Sequence, residues 1–153
     1  MEFTHFLKHY QNNRKELEKV LDHYSCSKTD SLKYKAAVFL IENMPKQYSY
    51  SGSFIEKFKI ELNKHMELSF LSRKVIEILP FRYIDITSLL QYEHDIEIVK
   101  SDFLIYYIDY AFKLLGENPW LNQISFEDFC DYILPYRISH EALDQGWKDS
   151  LRQ

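Results

Sequence analysis

The residue types that can do chemistry are few in this chain, and their spacing completes no metal site. His5 and His9 lie four positions apart, which places both on one face of a helix at the spacing of two metal ligands. A zinc site needs a third and usually a fourth ligand, and no cysteine or carboxylate follows at a typical spacing. We therefore interpret the two histidines as exposed residues of an end helix and expect neither a metal nor another cofactor.

The acidic residues give no convincing catalytic pair. Asp128 and Asp131 lie one helical turn apart, with Glu127 beside them. A glycosidase needs two carboxylates that face each other across a cleft about 5–10 Å wide, generally from different elements. Neighbours on one helix are better explained as an acidic first turn and a solvated face. An autonomous hydrolase using Asp109, Asp128 or Asp131 is therefore the least favoured hypothesis.

The two cysteines, Cys26 and Cys130, form no Cys-x-x-Cys pair and no disulfide framework. A catalytic thiol is activated at a helix N-terminus or beside a histidine base. Cys130 lies a full turn inside a predicted helix, and no histidine is near it in sequence. We predict a buried, inert thiol at Cys130 and favour it over a Cys26–Cys130 bridge. No residue of the chain is predicted to be catalytic.

Aromatic side chains are abundant, with twelve Tyr and eleven Phe. Tyr and Trp are good anchors for a ligand because they bury a large area with few rotatable bonds. The residues that could line a sugar-binding or peptide-binding groove, or an interface, are Tyr48, Tyr50, Trp120, Tyr136, Arg137 and Trp147. Such residues are equally common at the rim of a hydrophobic core, so both interpretations stay open.

The element that must position these residues is a helix from Ser101 to Leu115, SDFLIYYIDYAFKLL. It is apolar on almost every side, which is typical of a helix wrapped by other elements. Ser101 is predicted as its N-cap and Gly116 as its left-handed stop. We therefore expect this to be the central, buried helix of the fold.

Asp109 is the most unusual charge, because it lies midway along this apolar helix. A buried carboxylate without a partner costs several kcal/mol, so a partner is expected. We predict a buried ion pair between Asp109 and Arg137, with Lys35 as the second candidate. The alternatives are a purely structural pair, a position that reaches solvent, or a ligand site, of which the structural interpretations are favoured.

The remaining pattern predicts further helices. Apolar residues recur at helical spacing in residues 3–24, with Asn13 and Glu16 as a cap, and the other predicted helices cover residues 30–44, 53–70, 72–79, 125–134 and 139–152. Residues 46–52 are predicted as a loop and residues 81–100 as irregular, while Tyr132 is placed on the buried face of its helix. The predicted fold is all-α: a single domain over residues 1–153, an irregular bundle of about six helices around the central one.

Composition agrees with that fold and excludes some partners. With 46% hydrophobic residues, three Gly and four Pro, the chain has too few turn residues for a sandwich or barrel. A net charge of −4 gives no electrostatic footprint for nucleic acid or an anionic membrane. No window approaches the roughly 18 consecutive apolar residues of a membrane span.

Three segments, SLKYKAAVFLIENMP (residues 31–45), SDFLIYYIDYAF (residues 101–112) and NPWLNQISFEDFCDYILPYR (residues 118–137), form a recognisable set. Together they resemble the N-terminal helical region of transglutaminase-like proteins from Bacteroidetes, which are often exported or lipid-anchored. The third segment is the most specific, and residues 81–100 are only loosely similar.

The resemblance implies an accessory role. In that family a papain-like domain with a Cys-His-Asp triad follows the helical region, and Cys130 matches a position of the helical region rather than the nucleophile. The leading hypothesis is a non-catalytic accessory domain that packs on, positions or gates such a downstream domain of the same polypeptide, at the cell surface or outside the cell. The alternative is an extracellular sugar-binding or peptide-binding module. The accessory role predicts an exposed apolar patch near Trp147 and Leu151.

Overall fold

The computed structural model describes residues 6–26, 28–66 and 90–143. In these ranges the α-helices are α1 (Arg14–Ser25), α2 (Ser31–Asn43), α3 (Ser53–Met66), α4 (Asp95–Ile98), α5 (Ser101–Glu117) and α6 (Phe126–Asp128), the last continuing into a π-helical turn, Phe129–Ile133. Short 3₁₀ helices lie at Lys8–Tyr10, Lys28–Asp30, Met44–Lys46 and Pro119–Gln123. The predicted all-α fold is confirmed.

Two short strands, β1 (Tyr48–Ser51) and β2 (Gln91–His94), pair in a two-stranded sheet. The loop predicted for residues 46–52 therefore contains a strand. The strand is only four residues long, which is too short for its side-chain pattern to indicate it. The predicted helix at residues 72–79 lies outside the described residues. Residues 139–143 are irregular, and the rest of the helix predicted for residues 139–152, with Trp147 and Leu151, is also outside them.

The chain divides into two compact units. One contains residues 1–49 and 94–153, and the other contains residues 50–93. In the second unit, α3 begins directly after Gly52, whose φ of +105° suits a residue without a Cβ. The prediction of one domain over residues 1–153 stays a prediction.

The first unit is organised around α5, as the apolar pattern predicts. The helix packs against both α1 and α2, and those two pack against each other. Its buried residues include Leu104, Tyr107, Ile108 and Ala111. Ala36 and Ala37 of α2 are completely buried, and such small side chains allow neighbouring helices to approach closely. The core therefore lies along the central helix.

The N-terminus of α5 is capped from another helix. Ser101 is the first residue of α5 rather than its N-cap, and both its N–H and its hydroxyl donate to Glu16 Oε2, at 3.0 and 2.9 Å. Glu16 thus supplies an acceptor and a negative charge where the helix dipole favours both. The predicted stop at Gly116 is wrong, because α5 continues to Glu117 and Gly52 is the positive-φ glycine of the described chain.

Asn13 has a different role from the predicted cap. It stands directly before α1, but its side chain caps no helix. Its Nδ2 instead donates to the carbonyl oxygens of Ile96 and Val99, at 3.1 and 2.7 Å, from a nearly buried position. Asn13 therefore fastens the α4 segment to the start of α1.

No helix in the described part of the chain has the length and hydrophobicity needed to cross a membrane.

Candidate interaction site

The most buried charges of the described chain form an ion pair between Asp95 and Arg137. Asp95 begins α4 and is 0% exposed, and Arg137 follows the π-helical turn and is 9% exposed. Arg137 Nε lies 2.9 Å from Asp95 Oδ2, without the alignment of an N–H···O hydrogen bond. The hydroxyl of Tyr136 donates to the same oxygen at 2.8 Å. The second carboxylate oxygen, Oδ1, is buried and has no hydrogen-bond donor among the described residues.

The remaining donors of Arg137 hold two segments of backbone. Nη1 donates to the carbonyl oxygen of Tyr48, and Nη2 donates to that of Glu141 at 2.8 Å. The Glu141 carboxylate in turn accepts from the N–H groups of Ile138 and Ser139, each at 2.7 Å. Residues 136–141 are therefore held in one conformation although they form no regular element.

Burial dominates the electrostatics of this cluster. Desolvation raises the pKa of the Asp95 carboxyl, and the Tyr136 hydroxyl and the Arg137 charge only partly oppose it. Desolvation and the neighbouring Asp95 also raise the pKa of Tyr136. For Glu141, desolvation acts to raise the pKa, but the backbone N–H donors outweigh it and the pKa is lowered. Asp95 is sealed from solvent, so its carboxylate serves to hold Arg137 and Tyr136 in place.

Beside the ion pair lies a groove of about 250 Å³. Its apolar floor comes from α2, the following 3₁₀ helix and the π-helical turn, and includes Leu40, Met44 and Cys130, which are all buried. Asn43, Gln47 and Asp131 provide a polar rim. Ile138 stands at the edge with 76% of its surface exposed. We name this feature the Ile138 groove.

The π-helical turn determines which side chains face outward here. The N–H of Leu134 donates to the carbonyl oxygen of Phe129, five residues earlier, at 3.0 Å. This wider turn leaves Phe129 and Cys130 buried and leaves Tyr132 78% exposed. The prediction that Tyr132 lies on the buried face is wrong for this reason, because it assumed ordinary α-helical spacing.

The structure brings together only some of the predicted groove residues. Tyr136 and Arg137 line the Ile138 groove, and Arg137 also binds the backbone of Tyr48. The Tyr48 ring is stacked on His140, with centroids 4.2 Å apart. Tyr50 and Tyr92, which both belong to the second unit, contact each other through their rings. The side chain of Trp120, and Trp147 as a whole, lie outside the described part of the chain.

The predicted ion pair between Asp109 and Arg137 does not form. Asp109 Oδ1 lies 2.8 Å from Lys33 Nζ and accepts a hydrogen bond from the Tyr24 hydroxyl at 3.1 Å. The Asp109 side chain is 45% exposed, so its position on α5 reaches solvent at the edge of α1 and α2. Lys33, in the first turn of α2, takes the place predicted for Arg137 or Lys35.

The cysteines are free, with Cys26 exposed and Cys130 buried. Burial, aided by the nearby Asp131, raises the pKa of the Cys130 thiol to about 11, which agrees with the predicted inert thiol. The N–H of Asp128 donates to Ser125 Oγ at 3.0 Å, as the predicted cap requires. In return the Ser125 hydroxyl, rather than its backbone N–H, donates to Asp128 Oδ2 at 2.7 Å. No group of three or more metal-ligating side chains converges among the described residues.

Sequence reasoning missed Asp95, Glu141 and Ile138. Asp95 lies 42 positions from Arg137, and no local pattern connects two residues so far apart in sequence. Ile138 lies between two predicted helices, a position that predicts nothing about its exposure. Comparisons with protein-family models, with curated proteins and with solved structures found no match to this chain.

Proposed function

We propose that this chain is a non-catalytic accessory domain that packs on and positions a transglutaminase-like catalytic domain in the same polypeptide. Its contact surface would be the Ile138 groove together with Tyr132, the residue that follows the groove-lining Asp131 in sequence. The observation that carries the proposal is the exposure of these two large side chains, 78% for Tyr132 and 76% for Ile138, on a segment held firmly in place. Exposed apolar side chains beside an apolar groove favour association, because a partner removes them from water.

Rigidity supports this interpretation of the surface. Arg137 joins Asp95 to the backbone of Tyr48 and Glu141, so a partner would meet residues 136–141 already ordered. A surface that is ordered before binding loses less conformational entropy when the complex forms. The identity of the partner comes from the resemblance of residues 31–45, 101–112 and 118–137, and it is the finer part of the proposal.

The alternative, an extracellular sugar-binding or peptide-binding module, is supported in its peptide form by the same groove. Its sugar form is less well supported, because sugar stacking needs an accessible ring face. His140 covers one face of Tyr48, and Tyr136 is only 4% exposed. We therefore retain the peptide form as the second candidate function.

The test is to produce residues 1–153 and the polypeptide that follows Gln153 in the parent gene as two proteins, and to measure their association by calorimetry. We expect Ile138→Ser or Tyr132→Ser to weaken binding about tenfold or more, as for a central interface residue. Leu32→Ser is the matched control, since Leu32 is a 48% exposed apolar residue that does not line the groove. A following sequence without Cys, His and Asp in papain-like order, or equal effects of all three variants, would contradict the proposal.

A further inference from the structure

The Ile138 groove is small and has an apolar floor. Its volume of about 250 Å³ is below the roughly 300–1,000 Å³ of sites that enclose a small molecule. Its floor, with Leu40, Met44 and Cys130, offers only apolar contact. The floor therefore suits an apolar side chain carried by something larger.

The groove offers a ligand one unsatisfied charge. Of its two charged lining residues, Arg137 is committed to Asp95 and to the carbonyl oxygens of Tyr48 and Glu141. Asp131 is exposed and forms no ion pair with any described residue. The available charge at the rim is therefore negative, and a cation on the occupant complements it.

The neighbouring amides suit a peptide backbone. Asn43 and Gln47 stand on the same rim and can donate to and accept from a main chain laid across the groove. Ile138, at the edge of the groove and 76% exposed, extends the apolar surface beyond it, so an occupant can contact the chain through more than one residue. These features favour an extended protein segment over a free small molecule.

We propose that the Ile138 groove receives an apolar side chain from an extended protein segment that carries Lys or Arg next to it, and that this cation pairs with Asp131. The inference rests on the proposed function, because it gives the chemistry of the surface that the catalytic partner presents. It can be tested without that partner, because every residue that lines the groove lies within residues 1–153.

The experiment is selection of a displayed random heptapeptide library on residues 1–153. We expect enriched peptides in which Leu, Ile, Met or Phe adjoins Lys or Arg. For the peptide enriched most, Asp131→Asn weakens binding about fivefold, as for an exposed ion pair, and Ile138→Ser about tenfold. Selection on Asp131→Lys shifts the preference toward Asp or Glu in the place of the cation.

The controls are Asp22→Asn and Leu32→Ser, which change the same residue types at exposed positions away from the groove and leave binding unchanged. Circular dichroism melting of every variant shows that the fold is kept. Failure of the selection, peptides without the basic residue, peptides insensitive to Ile138→Ser, or competition by a second copy of the chain each overturn the inference. If basic peptides bind the groove but the downstream polypeptide does not bind the chain, this inference stands. That result rejects the proposed function alone.

Discussion

Single side chains fasten the helices of the first unit to one another at their ends. Glu16 of α1 accepts from the N–H and hydroxyl of Ser101 at the start of α5, and it also pairs with Lys19 at 2.6 Å. The hydrogen bond from Lys19, followed by those from Ser101, lowers the pKa of Glu16 to about 2. A carboxylate of the neighbouring helix thus does the work of an N-cap residue.

Glu16→Gln is expected to lower the melting temperature at neutral pH. The pKa of Glu16 is lower in the folded state than its ordinary value of 4.5, so its contribution to stability is present above pH 4.5 and is lost as the pH falls toward 2. At pH 7 the melting temperature of the variant should therefore lie below that of the wild type. At pH 2 the two melting temperatures should be equal. Glu18→Gln is the control, because Glu18 pairs with Arg14 on the surface of the same helix. Equal effects of the two substitutions would argue against the capping role.

Arg137 is the residue whose loss should cost most. Arg137→Met leaves the Asp95 carboxylate buried without its cation and removes the donors to Tyr48 and Glu141. We expect a decrease of about 3–5 kcal/mol in the free energy of unfolding, measured in urea. Asp95→Asn combined with Arg137→Met should cost less than the sum of the single changes, because the isolated charge is gone.

The control for this substitution is Arg14→Met. Arg14 pairs with Glu18 at 2.6 Å, with both side chains 39% exposed, and a surface pair of this kind contributes at most about 1 kcal/mol. If Arg137→Met destabilised the protein no more than Arg14→Met, the Asp95–Arg137 pair would have no special structural role.

At the level of elements, the features specified by neighbouring residues were predicted from sequence and those specified by distant ones were not. The apolar sides of α5 and the reciprocal bonds of Ser125 and Asp128 depend on residues a few positions apart, so their spacing reveals them. The π-helical turn changes that spacing within one turn, so the predicted burial of Tyr132 is wrong. The links of Asn13 and Glu16 span more than 80 positions, and no periodicity reports on them.

Asn13→Ala is expected to loosen the α4 segment. The substitution leaves the carbonyl oxygens of Ile96 and Val99 without the amide that now donates to them. Leaving such acceptors unsatisfied costs about 1–3 kcal/mol of unfolding free energy, which chemical denaturation measures. Asn43→Ala is the matched change, because Asn43 is exposed and, within the described part of the chain, its side chain bonds to Phe39 of the same helix. A smaller loss for Asn13→Ala than for Asn43→Ala would contradict the tether.

Two glycines should respond to alanine in opposite directions. Gly116 lies within α5, and a Cβ there would meet nothing within 4 Å, so Gly116→Ala should stabilise the protein by about 0.5–1 kcal/mol. Gly52 has a φ of +105°, and its added Cβ would lie 3.3 Å from Gln91 Cγ, so Gly52→Ala should destabilise it by about 1–2 kcal/mol. Thermal melts measure both. If Gly116→Ala destabilised the protein, that result would favour the left-handed conformation predicted for Gly116 at a helix stop.

For the whole molecule, the sequence predicts the helical architecture but not the arrangement of the contact surface. Apolar residues at helical spacing indicate most of the described helices, and the almost wholly apolar sequence of α5 indicates its central place. The Ile138 groove instead depends on α2, the π-helical turn and residues 135–138 meeting in space. The sequence predicts an interface role and a buried ion pair for Arg137, whereas its observed partner Asp95 is identified only in the three-dimensional structure.

The most direct test of the accessory role is hydrogen–deuterium exchange of residues 1–153, with and without the polypeptide that follows in the parent protein. If the Ile138 groove is the contact surface, amides in residues 39–47 and 130–138 should exchange more slowly in the mixture, and Ile138→Ser should abolish that protection. Binding that protects other residues and leaves these two segments unchanged would contradict the account.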